Sequence, residues 1–207
     1  MDLYETDVTS SAGAEHELYA DSLDKFPTSW APDGKNLLFS AQSPNTGTDV
    51  WVLSTTGDGR TARARAFINT PANEGQGRFS PDGRWVAYQS DESGRVEVYV
   101  APFPGPGRPQ PVSTGGGSGP RWRVDGKELF FVTPDQRMDA AAIDTTGASV
   151  VVSRIEQLFQ VRVDAAAGLN AWDVAPDGQR FLIASPVDEP RPPSLSLIVN
   201  WPATLRR

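Results

Sequence analysis

Cysteine is absent from this 207-residue chain, which excludes disulfides and every thiolate metal site. Histidine occurs once, as His16. Metal sites built on histidine clusters are therefore excluded, and a Ser-His-Asp triad would have to use that one ring, which lies between Glu15 and Glu17 on an expected surface strand. Positive charge is in the minority: 19 Lys and Arg face 26 Asp and Glu, for a net charge of −7. Such a chain repels duplex nucleic acid and anionic membranes. Arg60, Arg63 and Arg65 are the one basic concentration, and on a strand they read as a solvated face. No apolar stretch approaches the roughly 20 residues of a membrane span, so no membrane insertion by this chain is expected. Met1-Asp2-Leu3-Tyr4-Glu5 lacks the basic and apolar regions of a signal peptide. Helical periodicity is missing, and no Asp-x-Asp-x-Asp-Gly loop offers a calcium site. No cofactor and no metal are expected.

What is present is a repeat. Asp-Gly recurs as Asp33-Gly34, Asp82-Gly83, Asp125-Gly126 and Asp177-Gly178, at spacings of 49, 43 and 52 residues. Proline precedes three of them (Pro32, Pro81, Pro176), and Val124 precedes the other. Three residues before each Asp stands Trp30, Phe79, Trp122 or Val174. An apolar run follows each Gly: Leu37-Leu38-Phe39, Trp85-Val86-Ala87-Tyr88, Leu129-Phe130-Phe131-Val132 and Phe181-Leu182-Ile183. Periods of this length, each holding several short strands, predict an all-β protein of the β-propeller type. The Asp-Gly has a local role in such a repeat. The carboxylate accepts from nearby amides and glycine supplies positive φ, so the four aspartates read as turn residues rather than as acids or ligands.

The expected layout is a single domain over 1–207 of about four four-stranded blades, as a closed or a partial ring. A trailing half blade covers 1–25, blades follow at approximately 26–70, 71–114 and 115–165, and an incomplete last blade covers 166–207. The half blade is recognised because Asp2-Leu3-Tyr4 matches Asp49-Val50-Trp51 and Glu97-Val98-Tyr99. Its strands, 3–8 and 15–20, would be the third and fourth of a blade. The last blade shows only three strands, ending with 195–200. Strand 15–20 could complete that blade, as rings remove open edges, but strand 3–8 is then one too many.

Several stretches resemble a known family. Lys25-Phe26-Pro27-Thr28-Ser29-Trp30, Gly77 to Tyr88, Glu97 to Pro104, Ser113-Thr114-Gly115-Gly116-Gly117, Pro120-Arg121-Trp122-Arg123 and Leu197-Ile198-Val199-Asn200-Trp201 are similar to TolB-like, WD-repeat-like propellers. More closely they resemble the C-terminal propeller of bacterial Ser/Thr protein kinases. That resemblance implies a sensor or interaction module, a kinase domain, membrane span and further blades outside this sequence, and an extracytoplasmic or periplasmic location. No Gly-rich phosphate loop, catalytic Asp loop or Asp-Phe-Gly is present here.

Two function classes follow. The first is a non-catalytic module that binds a protein, a peptide or another ligand through loops on one face. Its candidate residues are Asn45, Asn73, Glu74, Gln76, Asp91, Glu92, Arg95, Asp135 and Arg137. Near the axis, Ser29, Arg78, Arg121 and Asp173 occupy equivalent positions beside the repeat aromatics, where the two arginines and the aspartate could hold a small anion or pair with neighbours. Open blade edges also suggest a homo-oligomer. The second class is a serine hydrolase, because Ser22-Leu23-Asp24-Lys25 fits Ser-x-x-Lys. Ser118 does not form Gly-x-Ser-x-Gly, since Pro120 stands at its last position.

Overall fold

A computed structural model describes residues 1–6, 15–55, 62–105, 107–163 and 171–186. The described residues form sixteen strands and no helix. They are β1 (Leu3–Thr6), β2 (Glu15–Tyr19), β3 (Asp24–Trp30), β4 (Asn36–Ser43), β5 (Gly47–Thr55), β6 (Ala62–Ile68), β7 (Glu74–Phe79), β8 (Trp85–Ser90), β9 (Glu97–Pro102) and β10 (Gln110–Pro111). They continue with β11 (Ser118–Trp122), β12 (Glu128–Val132), β13 (Arg137–Asp144), β14 (Val151–Gln160), β15 (Trp172–Val174) and β16 (Phe181–Ile183). Three antiparallel four-stranded sheets, β3–β6, β7–β10 and β11–β14, each run up and down in chain order. They are flanked by the hairpins β1–β2 and β15–β16. The expected strand at 195–200, the loop at 187–193 and Arg60 lie outside the described residues.

The turn chemistry explains each first hairpin. In all four copies the glycine has positive φ, between 68° and 72°. Its N–H donates three residues back, to Ala31, Ser80, Arg123 or Ala175, at 2.8–2.9 Å. The Asp Oδ1 accepts from the amide two residues on, that of Lys35, Arg84, Lys127 or Gln179, at 2.9–3.1 Å. The aspartates are thus held by their own turns. Asp125, in the copy with Val124 in place of Pro, is also gripped by Arg123, which lowers its pKa to about 2.

Alternation along the strands places the core. Even where a strand reads as a continuous apolar run, its two faces serve different neighbours. On β8, Val86 and Tyr88 pack towards β4 and β5, whereas Trp85 and Ala87 pack towards β11–β13. On β12, Leu129 and Phe131 face β8 and β9, and Phe130 and Val132 face Trp172 and Phe181. On β4, Leu37 and Phe39 receive Leu3 and Leu18 from the first hairpin. Sheets covered on both faces need apolar residues at every position, and this is why the sequence shows runs instead of strict alternation. The clusters link each sheet to the next, and among the described residues none links the first hairpin to the last. The arrangement is an open arc.

An acid at the head of the third strand recurs, half-buried as Asp2 and buried as Asp49 and Glu97. Asp2 accepts from Lys25 Nζ at 3.1 Å. Asp49 accepts from Thr46 Oγ1 at 2.7 Å and Asn69 Nδ2 at 3.4 Å. Glu97 accepts from the Gly116 N–H at 2.9 Å and from Ser113 Oγ. Each carboxylate ties the segment leading to the next sheet. These acids mark the register in the sequence, and in the structure they fasten neighbouring units together.

Candidate functional site

The inner strands β3, β7 and β11 converge, and at their turn end they border an open cavity of about 410 Å³. Its walls are Trp30, Phe79 and Trp122 with the turn residues Pro32, Ser80, Pro81 and Val124, and Arg78 and Arg121 reach into it. The repeat that sets Trp30, Phe79 and Trp122 at the end of each inner strand therefore also builds the walls. Trp122 is buried and donates its indole N–H to Arg78 O at 3.1 Å, while Trp30 is 45% exposed at the rim.

Both arginines are anchored. Arg78 donates to Thr28 O. Arg121 donates to Pro120 O at 2.9 Å, lies 3.8 Å from Asp173 and stacks over Trp172 with 5.4 Å between its guanidinium carbon and the ring centroid. Burial pulls both guanidinium pKa values down. For Arg121 the neighbouring charge of Arg78 adds to this, against Asp173, and the result is about 9. Of the three residues named near the axis, Arg78 and Arg121 line this cavity and Asp173 lies beside Arg121. The aromatic walls went unread as site residues, because they were explained by the repeat itself.

The opposite end carries the polar loops. Asn73 donates to Asp91 twice, from its backbone at 2.7 Å and from Nδ2 at 2.9 Å, which joins the β6–β7 connection to the β8–β9 turn. Asn73, Asp91 and Glu92 line an open hollow of about 620 Å³ with Thr70, Pro71, Ala72 and Gly94. Of the other candidates, Asn45 is exposed and Arg95 leans on Glu97 at 3.6 Å. Asp135 and Arg137 pair with each other at 3.0 Å on the third sheet. Gln76 has a positive φ of 54° and is half-buried. None of these five lines the hollow.

Glu74 is buried, so a partner on this surface would not touch it. Its carboxylate accepts from Thr70, both Oγ1 and N–H. Burial raises its pKa above the ordinary 4.5, with Asp49 and Glu92 adding to the rise and the Thr70 bonds opposing it. A carboxyl whose folded pKa is raised contributes stability that is fully present below 4.5 and is lost as pH rises through the folded value. Glu74→Gln is therefore expected to gain melting temperature relative to the parent as pH rises from 4 to 8. A difference between the two proteins that does not change with pH would contradict this.

The residues of the hydrolase reading are placed differently. Lys25 is fully covered, with Nζ 2.5 Å from Asp21 and 3.1 Å from Asp2, and it donates to Leu23 O at 2.7 Å. Burial lowers its pKa, but the two carboxylates outweigh this and the net shift is upward. Ser22 and His16 are exposed. Among the described residues no group of three or more His, Asp and Glu could hold a metal ion.

No family model and no curated protein matches the sequence. Solved structures do. The chain is similar to TolB from Acinetobacter baumannii, with 21% identity and a TM-score of 0.64 over 87% of this chain and 42% of that one. This chain has the fold of a β-propeller. Propellers that are enzymes lie at comparable distance. An oligogalacturonate lyase solved in complex with manganese gives 13% identity and a TM-score of 0.59, over 86% of this chain and 51% of that one. A puromycin-hydrolyzing peptidase from Mycobacterium tuberculosis gives 22% and 0.51, over 70% of this chain and 24% of that one. The propeller described here thus spans less than half the length of the TolB chain. At these identities the likeness establishes the architecture, and propellers of this kind host both binding and catalysis.

Proposed function

We propose that this propeller is a non-catalytic module that recognises a protein or peptide partner at its axial mouth. The observation that carries this reading is the meeting of a half-exposed Trp30 with Phe79, Trp122 and two anchored arginines around one cavity. Aromatic and arginine side chains at a concave, well-packed position are the types that dominate binding energy at interfaces. The commitment of Lys25 to Asp2 and Asp21 favours a binding role over the Ser22–Lys25 hydrolase, since a lysine held protonated cannot serve as base. The resemblance to kinase-linked propellers and the likeness to TolB fit a sensor or interaction role. Self-association through the outer edges of β1 and β16, which pair with no further strand among the described residues, is a separate proposal, on which the axial reading does not depend.

Selection of displayed random peptides against the immobilised chain tests the proposal. Peptides should be enriched, and Trp30→Ala, a change at a rim position with little burial to lose, should weaken them at least tenfold. Failure to enrich any peptide, or indifference to Trp30→Ala, would overturn it. Hydrolysis of simple p-nitrophenyl esters that disappears in Ser22→Ala would restore the enzyme reading.

A further inference from the structure

The axial cavity has a chemical preference that can be named. Its walls are apolar: two indoles, the Phe79 ring and the turn prolines Pro32 and Pro81. Its polar contribution is concentrated in Arg78 and Arg121, which come from adjacent inner strands at equivalent positions. Both are oriented before any ligand arrives, Arg78 by Thr28 O and Arg121 by Pro120 O and the Trp172 ring. Guanidinium groups favour the planar, two-oxygen geometry of a carboxylate, and they act more strongly when partly withdrawn from water. A small inorganic anion would gain from the arginines but not from the walls. A purely apolar group would gain from the walls while keeping two cations beside it.

We infer that the axial cavity binds a carboxylate carried on an apolar or aromatic body, as at the end of a peptide chain or on an acidic side chain next to an aromatic residue. This rests on the axial mouth being the recognition site and adds the chemistry that it selects. The binding face would then read one charge and one ring together, with Trp30 as the exposed edge of the pocket.

The test uses the full chain labelled with ¹⁵N, following the indole N–H signals of Trp30 and Trp122 and measuring affinity by calorimetry. Four probes are compared: acetyl-Gly-Ser-Leu-Trp with a free carboxylate, the same peptide as its C-terminal amide, acetyl-Gly-Asp-Trp amide, and inorganic phosphate. The free acid should bind at least tenfold more tightly than its amide and shift both indole signals. Arg78→Gln should erase that difference. Because Arg121 and Arg78 are largely buried and a variant of either could unfold, Trp30→Ala serves as the second arm: it should weaken acid and amide alike while their ratio persists. If the internal aspartate peptide matches the free acid, the proposal stands and an acidic side chain is the source; if only the free acid binds, the source is the chain terminus. Equal binding of acid and amide through Trp30 would overturn the carboxylate inference while leaving the recognition site intact. Binding of phosphate as tight as the acid, or no response of either indole to any probe at millimolar concentration, would also overturn it.

Discussion

Phe130→Ala should lower the unfolding free energy by about 3–5 kcal/mol, the range for removing a buried aromatic side chain and leaving a cavity. Phe130 is 1% exposed on the central strand β12. Its ring meets Phe181 edge-on with centroids 5.1 Å apart, and it packs in one cluster with Val132, Met138, Val161 and Trp172. The hairpin β15–β16 has only three residues in each strand, so their one pairing alone holds it weakly and this cluster fixes it to the third sheet. Loss of the ring should also reach the axial cavity. Trp172 belongs to the cluster and Arg121 stacks on its indole, so loosening the hairpin removes the support under Arg121. Denaturant titration followed by near-ultraviolet dichroism would measure the first effect, and peptide binding at the axial mouth the second. Phe159→Ala, which removes a partly exposed ring also packed on Phe181, should cost well under half as much. Equal losses from the two variants would refute the assignment of Phe130 as the anchor.

Glu97→Ala should cost about 3 kcal/mol, unusual for an acidic residue in an acidic protein. The side chain is 4% exposed. Both carboxylate oxygens lie 2.9 Å from the Gly116 N–H, and Ser113 Oγ donates to the same group. Ser113 Oγ in turn accepts from the Val98 N–H at 2.8 Å. Alanine would leave a buried amide without an acceptor and release a hydroxyl that orders β9. The loop cannot readily reshape to compensate. Gly116 has φ of 98°, and a Cβ there would lie 2.4 Å from Pro134 Cγ. Glu97→Gln keeps one acceptor oxygen and should lose roughly half as much. The check is the order of the three proteins in thermal and denaturant unfolding, parent above Gln above Ala. A Gln variant as damaged as Ala would mean that charge, not the geometry of acceptance, holds the loop.

The turns and strands were legible because their signals are local. Asp-Gly, after proline in three copies, states a turn in two or three residues, and the hydrogen bonds from Gly34, Gly83, Gly126 and Gly178 follow from that alone. The strand order was legible for the same reason, since every sheet is a meander of neighbours in sequence. The pairing of Arg121 with Asp173 could be anticipated from their shared place in the repeat. The walls of the axial cavity could not, because Trp30 and Trp122 are identical residues at equivalent positions, yet one is half-exposed at the rim and the other buried. That difference depends on the preceding unit, whose Trp85, Val98 and Val100 pack in one cluster with Trp122. Glu74 and Lys25 show the same limit. Each reads as a surface charge in a polar stretch, yet Glu74 is buried with its carboxylate held by Thr70, and Lys25 is buried on Asp2, 23 residues away.

The open arc has a mechanical meaning. Among the described residues each sheet leans only on the sheets beside it, so stability is distributed like that of a stack, with coupling between neighbours and little across the whole. The middle sheet, clasped on both sides by Tyr88 and Trp85, is the last to let go, and the hairpins at either extremity are the first to fray. The axial cavity straddles the middle of that stack, drawing its walls from three successive units. A ligand seated there would act as a rivet through the laminate, resisting separation of three layers at once.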